Sequence, residues 1–103
     1  MALELRPNCE FCDKDLLPSA VDARICSYEC TFCAERAETI LCNVCPNYGG
    51  GFERRPIRPA AEWRPGVSAA KQPPFSKRIR MARDLAEVKA FPARLKDVPP
   101  EKR

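Results

Sequence analysis

Apolar positions in the first half of the chain are few and scattered: Leu3, Leu5, Phe11, Leu16, Leu17, Val21, Ile25, Phe32, Ile40, Leu41 and Val44 are the main ones. They predict short elements only. Leu3-Glu4-Leu5-Arg6-Pro7 reads as a short strand, and Asp13, Asp15 and Pro18 mark the loop after it. Ala23–Cys26 reads as a second short strand, and Thr31–Thr39 is the most helix-prone stretch. Pro46-Asn47-Tyr48-Gly49 then turns the chain away.

The second half is patterned differently. After Gly49-Gly50-Gly51, residues 52–59 read as a short strand or extended arm. Pro56, Pro59, Pro65, Pro73 and Pro74 fix φ and remove backbone donors, which makes residues 59–75 an irregular linker. One amphipathic helix is predicted over residues 76–91. Ser76 caps it, Ile79, Ala82, Leu85, Ala86 and Val88 lie mostly on one side, Arg78, Arg80, Arg83 and Lys89 lie elsewhere, and Pro92 stops it. Residues 92–103 read as disordered. No apolar run reaches 18 residues, so the chain is not expected to span a membrane.

The apolar set of residues 1–58 is too thin for an independent core. A unit of about 50 residues buries so little surface that it generally needs a metal or disulfides. Seven cysteines fall in this stretch: Cys9, Cys12, Cys26, Cys30, Cys33, Cys42 and Cys45. Six form three C-x2-C pairs (Cys9/Cys12, Cys30/Cys33, Cys42/Cys45), and Cys26 precedes Cys30 by four positions. A C-x2-C pair sets two thiolates on one tight turn, and structural zinc sites repeat that unit at separations of about 12–20 residues. Bound zinc supplies ~10–16 kcal/mol in small metal-dependent folds. With no His in the chain, a complete site must be thiolate-rich.

Disulfides compete for the same residues. The N-terminal Met-Ala-Leu-Glu-Leu-Arg-Pro-Asn lacks the long apolar segment of a secretion signal, so a reducing cytoplasm is expected. In that compartment close cysteine pairs are more often metal ligands, and an odd count leaves one thiol unpaired. A thioredoxin-like pair needs a surrounding βαβ pattern, and none is visible. Knuckle, short hairpin and a helix bearing a late ligand together predict a small metal-stabilised α+β fold. Its form is a treble-clef or RING-like cross-braced zinc module with a Pro-rich basic tail.

The runs Leu-Glu-Leu-Arg-Pro-Asn-Cys-Glu-Phe-Cys-Asp-Lys-Asp-Leu, Ala-Arg-Ile-Cys-Ser-Tyr-Glu-Cys-Thr-Phe-Cys-Ala and Cys-Pro-Asn-Tyr-Gly-Gly resemble a bacterial family of small cysteine-rich proteins known as a domain of unknown function. The resemblance covers roughly residues 2–60 and leaves the tail outside. It implies a compact zinc-binding fold with eight cysteines and brings no established activity. It also implies cysteines where Arg36 and Tyr48 stand here, with Cys42 as an addition.

Three ligand sets remain open. In a cross-brace, Cys26, Cys30, Cys42 and Cys45 form one full site, and Cys9, Cys12 and Cys33 form a second whose fourth position falls at Arg36. In a sequential arrangement, Cys9, Cys12, Cys30 and Cys33 share an ion. In a third, Cys9 and Cys12 join Cys42 and Cys45. Seven thiols complete at most one four-cysteine site, so a second ion would need water, a carboxylate such as Glu29, Glu35 or Glu38, or another chain. If Thr31–Thr39 is helical, Arg36 lies one turn after Cys33 and either faces that site or lies on the surface. Tyr48 is expected to pack.

Charge divides the chain as well. Residues 1–51 hold four Lys/Arg against eight Asp/Glu, a net of −4, and residues 52–103 hold fourteen against six, a net of +8. Without His, a serine triad or a phosphate loop, catalysis is not expected. The chain therefore reads as a zinc-binding interaction or regulatory module with a protein partner. Two alternatives stay in view. Nucleic acid could be held through Arg54, Arg55, Arg58, Arg78, Arg80 and Arg83, or oxidation of Cys42 and Cys45 with zinc loss could release the tail as a redox switch.

Overall fold

A computed structural model describes residues 3–103. Its centre is a β-hairpin of Ala23–Ile25 (β1) and Thr31–Cys33 (β2), antiparallel with Arg24 opposite Phe32. A helix, Ala34–Thr39 (α1), follows β2 without a break. The two-residue strand Glu53–Arg54 (β3) pairs with the other edge of β1, giving the sheet order β2-β1-β3. The tail contributes a second helix, Leu85–Leu95 (α2), and a 3-10 turn over Pro100–Lys102. The fold is the expected small α+β module. Among the described residues no helix is long and apolar enough to cross a membrane.

The hairpin is short because a cysteine knuckle replaces a simple turn. Cys26 N–H donates to Cys30 O and Glu29 N–H to Cys26 O, both at 3.1 Å, with Glu29 at φ 68°. Such a conformation is uncommon outside glycine, so surrounding contacts must hold it. The Cys9–Cys12 segment turns equally tightly: Asp13 N–H donates to Cys9 O at 2.9 Å, Cys9 N–H donates to Lys14 O at 2.8 Å, and Asp13 has φ 63°. This turn docks on β2 through Glu10 N–H to Thr31 O at 2.9 Å. The Glu10 carboxylate, nearly fully buried, accepts from Thr31 N–H at 2.6 Å and from Arg6 at 2.9 Å.

Between these turns lies the core. Leu16, Ala23, Phe32, Ala37, Leu41, Phe52 and Val88 pack with Cys9, Cys26, Cys30, Cys33 and Cys45. Phe32 and Phe52 meet edge to face with centroids 5.4 Å apart, a geometry aromatic quadrupoles favour. Arg55 is also buried, donating to the carbonyls of Arg6 and Leu17 at 2.8 Å and of Leu16 at 3.3 Å. Arg55 thereby ties the segment after β3 to the first turn.

Several boundaries differ from expectation. Leu3–Pro7 is not a strand; only the Asn8–Asp15 bridge forms there. The stretch Thr31–Thr39 divides, because β1 recruits its first three residues into the sheet. In the tail the helix begins at Leu85, not Lys77, with Asp84 as the cap accepting from Glu87 N–H. Residues before it form no regular element because the head takes their backbone groups. Ile79 exchanges hydrogen bonds with the Asn8 amide, and Met81 N–H donates to Glu10 O at 3.0 Å. Pro92 lies inside α2, where it withholds the N–H that would bond the Val88 carbonyl. Arg103 closes the chain onto the carbonyls of Asn43 at 2.9 Å and Gly49 at 3.1 Å.

Candidate metal centres

The hairpin carries one sulfur cluster at each end. At its open end Cys33, the last residue of β2 and the one that immediately precedes α1, meets Cys9 and Cys12 from the first turn. At its closed end Cys26 and Cys30 of the knuckle meet Cys45, which returns after α1. In each trio all Sγ atoms lie within 4.8 Å of one another. The pairs are interleaved along the chain: first and third segments share one cluster, second and fourth share the other. Cys33 lies three residue steps beyond Cys30 along β2, so the clusters stand roughly 10 Å apart along the hairpin.

The spacing suits an ion. Four sulfurs around zinc at ~2.3 Å stand about 3.8 Å apart, and Cys12 Sγ lies 3.9 Å from Cys33 Sγ. A disulfide would require about 2.05 Å, and all seven cysteines are free thiols. The electrostatics agree. Hydrogen bonds from Cys30 and Cys45 pull the Cys26 thiol down to about 2 against the effect of burial, and the same bonding with Cys26 and Cys30, with burial added, pushes Cys45 up. In the other trio burial pushes Cys33 up to about 11. Burial opposes ionisation of Cys12 too, but hydrogen bonds from the Lys14 backbone, Cys9, Arg36 and Cys33 outweigh it and lower the thiol. In each trio one thiol is thus lowered while another is raised, Cys12 against Cys33 and Cys26 against Cys45. Bringing all three to thiolate requires a cation among them, and a thiolate set suits a soft or borderline ion.

Further donors steady the second trio. Tyr28 N–H points at Cys26 Sγ at 3.3 Å, and Asn47 Nδ2 at Cys30 Sγ at 3.4 Å. Asn47 in turn accepts from Arg83 at 3.1 Å, which links the tail to this cluster. Sequence pattern gave no sign of Asn47; only its place two residues beyond Cys45 hints at it.

The trios match the cross-brace order only in part, Cys9, Cys12 and Cys33 in one and Cys26, Cys30 and Cys45 in the other. Cys42 belongs to neither trio, so the four-cysteine site of Cys26, Cys30, Cys42 and Cys45 does not form, and the sequential and third sets are not assembled either. The reason is local backbone geometry. Cys42 and Asn43 both take left-handed conformations, φ 50° and 60°, to reverse the chain after α1. This leaves the Cys42 thiol over the carbonyls of Thr39 and Ile40 at 3.8 and 3.9 Å while Cys45 is carried inward. Neither trio includes Glu29, Glu35 or Glu38. Arg36 does face the first trio: nearby Cys12 raises its pKa, and its guanidinium lies 5.5 Å above the ring of Phe11, the residue before Cys12. Tyr48 stacks on Tyr28 with centroids 4.1 Å apart and is mostly exposed.

The arginines expected to meet phosphate are largely occupied. Besides Arg55, Arg58 donates to the carbonyls of Leu3 and Gln72, Arg78 to Asp13 and Asp15, Arg80 to Phe11 O and Arg83 to Asn47 and Glu87.

The fold and its two cysteine trios define a small α+β module able to hold metal. Residues 2–58 match the model of the family described as "Protein of unknown function (DUF1272)", and the chain belongs to that family. The match ends four residues beyond β3, so the tail lies outside it. The uncharacterized protein R02474 of Rhizobium meliloti (strain 1021) is 63% identical over 59 residues, covering 57% of this chain and 70% of the relative. No solved structure matches the chain.

Proposed function

We propose that the chain is a cytoplasmic zinc-binding module whose zinc is structural, which performs no catalysis and which acts by binding a protein partner. The observation that carries this reading is the interleaved pair of three-cysteine clusters, Cys9/Cys12/Cys33 and Cys26/Cys30/Cys45. Zinc is preferred among thiophilic ions because it is redox-inert and accepts mixed coordination completed by water or another donor. Five of the six cysteines are buried within the core, where an ion substitutes for missing apolar volume. A protein partner is favoured over nucleic acid because five of the six arginines that could track phosphate already donate within the chain. Exposed Trp63, Leu17 and Val21 and the Tyr28–Tyr48 stack offer apolar surface instead.

Native mass spectrometry of chain purified without chelator tests the zinc reading. Two zincs per chain, with seven free thiols after the metal is stripped, are expected. Absence of zinc together with missing thiols would replace this reading by disulfide or redox chemistry. Nucleic-acid binding that weakens steeply with salt would restore that alternative.

A further inference from the structure

Three thiolates leave a divalent ion one ligand short of a tetrahedron, and the two centres differ in what surrounds the vacant corner. In the Cys26/Cys30/Cys45 trio all three residues are buried, and the contacts to sulfur come from uncharged groups, Tyr28 N–H and the Asn47 amide. In the other trio Cys9 and Cys33 are buried but Cys12 is partly exposed, which sets the accessible corner on the Cys12 side. Arg36 stands on that side. It lies on α1 one turn after Cys33, with its guanidinium 5.5 Å above the ring of Phe11, which immediately precedes Cys12. Its Nε is shut off from solvent and has no hydrogen-bond partner. A buried donor without an acceptor is costly, and a guanidinium offers donors in a fork shaped for anions. Lys14 adds positive potential near Cys12 and Cys33 while paired with Asp22 at 2.6 Å.

Charge counting separates the centres further. Three thiolates with a divalent ion carry a net of −1. Arg36 offsets that charge at the first centre, whereas the donors that reach the sulfurs of the second trio are the uncharged Tyr28 N–H and Asn47 amide. An added anion therefore meets one unit less of negative charge at the first centre than at the second.

We propose that the Cys9/Cys12/Cys33 centre, when it holds a divalent ion, takes a small anionic donor as its fourth ligand, and that Arg36 selects that anion. The inference rests on the metal reading given above and adds to it a specific exogenous ligand at one centre only. Arg36 acts here as a binding residue for the anion, since its fixed positive charge bars it from the metal itself.

Cadmium-113 NMR of the full chain loaded with two cadmium ions tests this, because each centre gives its own resonance. Azide is titrated at constant ionic strength. One resonance is expected to move saturably and the other to stay fixed. Arg36→Gln should weaken azide binding by about tenfold or more, the loss typical of a charged hydrogen-bond donor, and Arg36→Lys should recover part of it. Arg36→Cys places a fourth thiolate three residues beyond Cys33, in C-x2-C spacing. That variant should move the responsive resonance toward four-sulfur coordination and abolish its response to azide. The proposal is overturned if neither resonance responds, or if the responding one keeps its azide affinity in Arg36→Gln. Failure to bind cadmium at all would overturn the metal reading itself, a distinct result.

Discussion

Replacement of Arg55 by methionine isolates a stabilising device that carries no metal ligand. The Arg55 side chain is 1% exposed and has no carboxylate within hydrogen-bond reach; its acceptors are the carbonyls of Arg6, Leu16 and Leu17. Burial lowers its pKa, so part of what the hydrogen bonds contribute offsets desolvation of the guanidinium. A hydrogen bond to a charged group contributes about 1.5–3 kcal/mol net, and the 3.3 Å bond to Leu16 adds little. Taking the two 2.8 Å bonds at the low end, because methionine restores apolar packing and removes the buried charge, the loss is roughly 3 kcal/mol. For a domain of this size that corresponds to a fall in Tm of about 12–24 °C. The assay is urea unfolding followed by far-ultraviolet circular dichroism at fixed free zinc, since bound ligand shifts apparent stability. A loss under about 1 kcal/mol would refute the reasoning, because hydrophobic replacement would then fully compensate for the bonds.

Cys42→Ser should leave the metal count of the purified protein unchanged, whereas Cys45→Ser should lower it by one; equal effects in mass spectrometry would place Cys42 in a centre after all. Phe32→Ala removes a fully buried ring from its edge-to-face contact with Phe52 and should cost about 3–5 kcal/mol, read from the same urea transitions. Burial, only partly offset by the Thr31 and Arg6 hydrogen bonds, holds the Glu10 carboxyl above its ordinary value of 4.5. The folded state therefore binds that proton more tightly. The stability this contributes is complete below pH 4.5 and disappears as pH rises through the higher folded value. Relative to Glu10→Gln at saturating metal, the wild type should lose stability across that window; a pH-independent difference would contradict the assignment.

Much of the module was legible in the cysteines. Of the three C-x2-C pairs only Cys9/Cys12 stays in one cluster, Cys30/Cys33 divides between the two, and the wider Cys26/Cys30 pair forms the hairpin knuckle; the cross-brace order came with the resemblance. Helical reach left Arg36 either facing the Cys33 site or on the surface, and the resemblance set that site's fourth position at 36; the helix itself is one strand shorter than the pattern suggested. Cys42 misled because C-x2-C spacing reports proximity in sequence and is silent about φ. Two consecutive left-handed residues at Cys42 and Asn43 point the earlier thiol away from its partner's cluster. The tail was harder for a different reason. The periodicity of residues 76–91 is helical, but Asn8 and Glu10 bind the backbone of Ile79 and Met81, and such long-range competition leaves no local signature. Nor did composition reveal that the arginines of the basic half fasten it to the head.

Because the clusters interleave, the two chain loops they close, residues 9–33 and 26–45, overlap. With both centres filled, a single protease cut between Cys12 and Cys26 leaves the pieces joined through the first trio. A cut between Cys33 and Cys45 leaves them joined through the second, and a cut between Cys30 and Cys33 is spanned by both. Ions held in both centres would act as reversible cross-links. A nicked molecule would travel as one particle until a chelator is added, and no truncation inside residues 9–45 would leave both centres intact.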